Sequence, residues 1–198
     1  MTNLILASGS TTRAELLRST GLKIGIEAAR IDEGAIKQTF LAENLPPRDI
    51  ADGLAEAKAR RVASKHLGAL VLGCDQVLEF DGKLLSKPED QSQAYDQLKS
   101  MRGKTHTLQS AAVFYEDARP VWRHIGQARL TMRNISDAYL EEYLARNWES
   151  VSGCVGSYKL EEEGVRLFTE IEGDYFTVLG LPLLEILSYL TLRGTLPS

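Results

Sequence analysis

Cysteine is scarce in this chain: two residues, Cys74 and Cys154, among 198. That is too few for a disulfide framework. Both stand in apolar or Gly-rich surroundings and read as buried, reduced thiols of a cytoplasmic protein. No apolar run reaches the ~18 residues of a membrane helix, and the N-terminus lacks the charged and apolar regions of a signal peptide. Excess positive charge is missing as well. Lys and Arg number 23 against 27 Asp and Glu, a formal net charge of −4, which argues against a dedicated nucleic-acid surface. Three histidines, His66, His106 and His124, lie scattered without ligand spacing, so a His-based zinc site is not expected. There is no Ser-His-Asp arrangement, nucleophile elbow or Walker-type Gly-Lys-Ser/Thr motif. Internal repeats and low-complexity tracts are absent too.

What is there is an ordinary globular composition, 43% apolar and 25% charged, in a chain long enough to bury a sizeable core. Strand and helix patterns alternate, which predicts an α/β domain. Residues 4–8 read as strand and 11–20 as a helix closing at Gly21. Residues 48–66 read as a long helix. A strand ends through Cys74–Leu78 before a turn at Asp81-Gly82. A helix follows Lys87-Pro88 and closes at Gly103, with Pro88 near its first turn. Residues 105–115 and 121–132 pair as antiparallel strands, and Ser136-Asp137 caps a helix to about Arg146. A last strand near 174–179 meets Gly180-Leu181-Pro182, which opens a helix over Leu183–Leu192. The sheet is therefore expected to be mixed, with its ligand site at the strand ends.

Chemistry gathers at a few points. Leu4-Ile5-Leu6-Ala7-Ser8-Gly9-Ser10-Thr11-Thr12-Arg13 is a strand feeding a small polar loop and a helix start, a layout that can hold an anion. Arg13 in the first turn opposes the helix dipole by ~0.3–1 kcal/mol, which points to a negative partner, phosphate first. Lys87 in Leu85-Ser86-Lys87-Pro88 is a second cation placed before a helix N-terminus. Asp75 closes the run Ala69-Leu70-Val71-Leu72-Gly73-Cys74, so its carboxylate is presented at the end of a buried strand, fit to ligate a divalent ion or act on water; a capping Asp is the other reading. Asp32-Glu33 could complete a hard oxygen site or form an acidic turn. Lys58 lies on the small-residue face of the long helix. In Gly153-Cys154-Val155-Gly156-Ser157-Tyr158-Lys159-Leu160-Glu161 a base could stack on Tyr158 while Glu161 accepts from it; a Gly-rich hairpin is the plainer alternative.

Taken in order, these segments resemble the Maf family of nucleoside triphosphate pyrophosphatases. The likeness runs from Leu-Ala-Ser-Gly-Ser-x-x-Arg-x-Glu-Leu-Leu at 6–17 through Ile31-Asp32-Glu33, Leu54-Ala55-x-x-Lys58-Ala59, Asp75-Gln76-Val77 and Ser86-Lys87-Pro88. It continues through Arg102-Gly103-Lys104-Thr105-His106, Gly156-Ser157-Tyr158-Lys159, Gly173-Asp174-Tyr175 and Val178-Leu179-Gly180-Leu181-Pro182-Leu183. The resemblance implies a two-lobed α/β fold, a mixed β-sheet flanked by helices with a deep central cleft, similar to inosine triphosphatase. The whole chain, 1–198, is expected to form one such domain.

The resemblance also implies cleavage of a nucleoside triphosphate to monophosphate and pyrophosphate with Mg²⁺ or Mn²⁺. Asp75 takes the catalytic acid position. Ser8, Arg13, Lys58 and Lys87 take the phosphate-contacting positions, and Glu33 joins Asp75 on the metal side. Two departures stand out. Thr12 replaces one arginine of the family's commonest Ser-Pro-Arg-Arg loop, and Gln76, Lys159 and Glu161 replace the pattern of the dTTP/UTP-acting subgroup. That set looks like the subgroup acting on 7-methyl-GTP, and a carboxylate acceptor suits the N1–H and amine edge of guanine. The expected partner is thus a modified purine nucleotide, with no nucleic acid or membrane; a homodimer is compatible with the sequence. A dTTP/UTP-type enzyme, a nucleotidyltransferase and a nucleotide-binding regulator of cell division with little activity are the competing readings.

Overall fold

Leu4–Leu6 (β1) is short, wholly apolar and buried, as a strand flanked on both sides should be. In the computed structural model, which describes residues 3–197, it pairs in parallel with Ile24–Ile26 (β2) and with Leu70–Phe80 (β3). Parallel neighbours need crossovers. Thr11–Ser19 (α1) supplies the first; Glu33–Ala42 (α2) and Pro47–Ala63 (α3) supply the second. Beyond β3, the turn at Asp81-Gly82 leads to Lys83–Leu85 (β4), antiparallel to β3. Gln91–Met101 (α4) follows, then Thr105–Glu116 (β5) and Arg119–Met132 (β6), sheet neighbours joined by Asp117-Ala118. A connection that short joins antiparallel strands. Asp137–Val151 (α5), a 3₁₀ turn at Glu163–Leu167, and Phe168–Glu172 (β7), antiparallel to β6, come next. Tyr175–Val178 (α6) and Leu183–Leu192 (α7) end the chain. The sheet order is β2-β1-β3-β5-β6-β7 with β4 on β3, mixed as expected.

The chain divides into two compact units. The first takes the chain through Gln76, Gln109–Gly126 and Tyr175 onward; the second takes Val77–Leu108 and Gln127–Asp174. In the first, alternate residues of β3 serve different faces. Leu70, Leu72 and Cys74 join Leu4, Leu6, Leu17, Phe114, Ile186 and Leu190 in one apolar cluster. On the opposite face Gly73 meets α3. A Cβ there would lie 2.1 Å from the Ala55 carbonyl oxygen and 2.6 Å from the Ala59 nitrogen, so only glycine permits this helix to sit so close.

The second unit ties its pieces with polar groups. Lys99 of α4 and Arg102, just past its end, both bind Asp137 at the start of α5. Arg146, Asn147 and Tyr139 of α5 converge on Glu163, and these bonds hold its carboxyl down at about 2. His106 Nε2 lies 2.7 Å from the Tyr158 hydroxyl, and Phe168 packs edge-on to Tyr158 at 4.8 Å. The Thr105-His106 and Ser157-Tyr158 motifs therefore meet as a buried polar contact.

Five local expectations need correction. Residues 174–179 are not a strand: Tyr175–Val178 form α6, and the strand of that region is β7, whose Phe168 and Ile171 the alternation did not single out. Asp32-Glu33 is not an acidic turn but the start of α2, with Asp32 as the cap accepting from the Ala35 amide. The helix after Pro88 begins at Gln91 because Asp90 caps it. α5 runs on to Val151. Residues 153–161 form successive turns rather than a hairpin. Among the described residues, no helix is long and apolar enough to cross a membrane.

Candidate functional site

Asp75 lies two residues beyond Gly73, on the same face of β3, and it is buried at 6% exposure. The close seat of α3 brings Lys58 to it: Lys58 Nζ donates to Asp75 Oδ1 at 2.6 Å. The same ammonium lies 3.0 Å from Glu33 Oε1, at the first turn of α2. A lysine at 8% exposure on an alanine-lined helix face is thus explained by two carboxylates. Burial pushes the Asp75 carboxyl above its ordinary value, while Lys58 and Arg13 draw it back. A carboxylate tuned upward in this way suits a general base near neutral pH.

Arg13 is the third residue of α1, and its amide is capped by Ser10 Oγ at 3.3 Å. Its guanidinium reaches away from the helix. Nε donates to the Gly180 carbonyl at 2.8 Å, and Nη1 to the Cys74 carbonyl at 3.2 Å and, weakly, to Ser8 Oγ at 3.5 Å. The cation that opposes the helix dipole thus has partial negative charge beside it already, in two peptide carbonyls. Ser8, buried, also accepts from the Ser10 amide at 3.2 Å and so shapes the loop. Thr12 is half-buried in the first turn of α1. The first unit therefore brings together Ser8, Arg13, Glu33, Lys58 and Asp75.

Gln76 follows Asp75 but turns elsewhere. Its amide nitrogen donates to Ser110 Oγ at 2.9 Å and to the carbonyls of Val178 at 3.0 Å and Thr177 at 3.2 Å. The side chain read as a specificity residue thus binds α6 to the sheet.

Lys87, Lys159 and Glu161 belong to the second unit, where all three act electrostatically on the Cys154 thiol. Lys87 is exposed and lies three residues before the Asp90 cap. The argument from the helix dipole therefore does not apply to it. Lys159 Nζ is held by Ser150 Oγ at 2.7 Å and Glu162 Oε1 at 3.1 Å. Glu161 is exposed. Tyr158 offers no face for a base: it is buried at 6%, between His106 and Phe168. Cys154 is half-buried rather than buried, and Cys74 is buried with its thiol pushed up to about 12.

One charged residue outside the expected set lies in the field of Asp75: Lys37 of α2. Its signal is its place one helical turn after Glu33, visible only once α2 is recognised. For a metal, the donor set is Glu33 and Asp75, two carboxylates that already share one cation. Among the described residues no group of three or more His, Cys, Asp or Glu could hold an ion by itself. A pair of carboxylates suits Mg²⁺, which fills its shell with water and substrate phosphate.

Residues 3–192 match the family model described as Maf-like protein. A nucleoside triphosphate pyrophosphatase of Ruegeria sp. (strain TM1040) is 63% identical over 98% of this chain and 97% of its own. A protein of the same name from Ruegeria pomeroyi is 58% identical over 98% of each. A 7-methyl-GTP pyrophosphatase of Rhizobium meliloti is 44% identical, again over 98% of each. Among solved structures, that of a HAM1 protein from Coxiella burnetii covers 68% of this chain and 75% of that one, at 14% identity and a TM-score of 0.42. Matched over nearly all its length, this chain belongs to the Maf family.

Proposed function

We infer that this chain is a nucleoside triphosphate pyrophosphatase, splitting its substrate between the α and β phosphates to give the monophosphate and pyrophosphate. The observation that carries the mechanism is Asp75: a buried carboxylate, raised by that burial, with Lys58 at 2.6 Å and Arg13 in its field. Asp75 takes a proton from the water that attacks the α-phosphorus in line. Lys58 and Arg13 offset the charge that develops as the pyrophosphate leaves. Lys87 is assigned to the phosphates through its Ser86-Lys87-Pro88 motif alone. Glu33 and Asp75 would hold Mg²⁺ or Mn²⁺, which when bound supplies Lewis-acid polarisation of the phosphate oxygens.

For the base, we propose a modified purine, 7-methyl-GTP first. The support is the Gln76, Lys159 and Glu161 set, the Thr12 departure and the name carried by the Rhizobium meliloti relative. A pyrophosphate-release screen against common and modified triphosphates, with Mg²⁺ and with Mn²⁺, tests both levels. Asp75→Asn is expected to lower turnover by about 10²–10⁴-fold with nucleotide binding kept. Turnover retained in that variant overturns the assignment of Asp75, and no release from any triphosphate by the unaltered chain overturns the activity itself.

A further inference from the structure

Gln76 stands one residue beyond Asp75 on β3, and successive residues of a strand face opposite sides of the sheet. Its amide nitrogen reaches α6, donating to the Val178 carbonyl at 3.0 Å and the Thr177 carbonyl at 3.2 Å. Ser110 of β5, fully buried, donates its hydroxyl to the same Thr177 oxygen at 2.8 Å. That oxygen also accepts from the Gly180 amide at 3.0 Å, which closes the turn after α6. The turn calls for glycine, because φ at 180 is +90°, in the left-handed region. Gly180 then offers its own carbonyl to Arg13 Nε at 2.8 Å, and a Cβ at 180 would stand 3.1 Å from Arg13 Nη2. β3 thus grips Arg13 twice. The Cys74 carbonyl accepts from Nη1 at 3.2 Å, and the Gln76 side chain pins the turn that holds Nε.

We propose that Gln76 is a positioning residue for Arg13: by pinning α6 to the sheet it holds the Gly180 carbonyl, and with it the guanidinium, in place for the triphosphate. The proposal rests on the pyrophosphatase reading for the ligand that Arg13 meets, but not for its measurement. A guanidinium clamped by neutral oxygens keeps its direction only as well as those oxygens keep theirs. The Cys74 oxygen belongs to the backbone of a long central strand. The Gly180 oxygen lies in a turn after a helix of four residues, which is too short to be stable by itself. Gln76 and Ser110 supply the hold that so short a helix lacks. The effect of Gln76 thereby falls on the phosphate end of the ligand, through a second side chain.

The test is a double-mutant cycle read as affinity for inorganic tripolyphosphate, by calorimetric titration of the full chain below the melting range of every variant. Arg13→Ala is expected to weaken binding about tenfold, the loss of one charge-assisted contact. Gln76→Leu, which removes the donors and keeps most of the bulk, should weaken it about three- to tenfold. In the Arg13→Ala background Gln76→Leu should weaken it no further, since the group it positions is gone. Gly180→Ala leaves the Gln76 amide intact but crowds the guanidinium. It should show the same loss and the same dependence on Arg13, and it carries the test where Gln76→Leu does not fold. Affinity equal to that of the unaltered chain in either variant overturns the proposal, as do losses that simply add in the double variants. A merely structural role lowers the melt in both backgrounds without coupling to Arg13. Tripolyphosphate bound as tightly by Arg13→Ala as by the unaltered chain also overturns it. Failure of the unaltered chain to release pyrophosphate is a separate measurement, and it overturns the functional reading instead.

Discussion

Lys58 Nζ lies 2.6 Å from Asp75 Oδ1 because Gly73, on the same face of β3, lets the backbone of α3 come into contact with the strand. The pair is set by helix–strand packing, and the missing side chain at 73 is as necessary to it as the two charges are.

Gly73→Ala is therefore expected to act at a distance. The new Cβ would overlap backbone atoms of Ala55 and Ala59, which cannot rotate away. Overpacking of this kind costs about 1–3 kcal/mol, and it pushes Lys58 off Asp75. A lower thermal midpoint together with a fall in kcat is the expected outcome; a variant that loses neither shows that α3 is not held as described.

The pH profile follows from the environment of Asp75. As a general base it works deprotonated, so kcat falls as pH drops through its raised pKa, and the acid limb should have its midpoint above the ordinary 3.8. Lys58 draws that pKa down. Lys58→Gln should thus move the midpoint to higher pH, besides lowering the rate. A midpoint at or below 3.8, or a downward move in the variant, contradicts the assignment.

His106 makes a separate prediction about stability. Burial lowers its pKa from 6.5 to about 4. Between those values the unfolded chain takes up a proton that the folded chain refuses, so stability is present above pH 6.5 and is lost as pH falls towards 4. At ~1.4 kcal/mol per unit, this amounts to about 3 kcal/mol. His106→Gln removes the titration, and its urea midpoint should fall less between pH 7 and pH 4.5 than that of the unaltered protein.

Gln76 and Glu161 should respond differently to substitution, although both belong to the same sequence pattern. Gln76→Thr removes bonds to Ser110, Thr177 and Val178, each worth roughly 1 kcal/mol, so it should lower the melting temperature whatever it does to substrate choice. Glu161→Gln alters an exposed carboxylate, where a lost contact is worth at most about 1 kcal/mol; it should move the melt less than Gln76→Thr does and shift preference away from guanine nucleotides. Equal melts for the two variants would show that the Gln76 bonds contribute nothing.

Much of this was legible in the sequence where a residue is out of place for its surroundings. Lys58 among alanines and Asp75 at the end of an apolar run are such residues, and they meet. Helix α7 was bounded correctly because Pro182 and the apolar run after it fix its start. Helix α2 was not legible: none of its residues is buried, so its apolar positions trace no core-facing stripe, and Lys37 is hidden with it. The segment Tyr175–Val178, rich in aromatic and β-branched residues, has strand propensity but is wound into a helical turn by its surroundings. Where the Gln76 amide points is a matter of tertiary contact that no local pattern contains.

Among the described residues, Arg13 donates to oxygens that carry no formal charge: the Cys74 and Gly180 carbonyls and the Ser8 hydroxyl. It is clamped without a carboxylate hydrogen-bonded to it, although the Asp75 charge acts on it through space. A carboxylate in the same place would have fixed the guanidinium equally well but cancelled its field, and an arriving phosphate would then have had to displace it. On a chain whose formal net charge is −4, the long-range force on a nucleotide is repulsive, and an intact local charge of this kind counters it at close range. Such attraction reaches about 10 Å at 0.1 M salt. Raising ionic strength should therefore slow capture of the triphosphate, read as kcat/KM, more than it slows the chemical step.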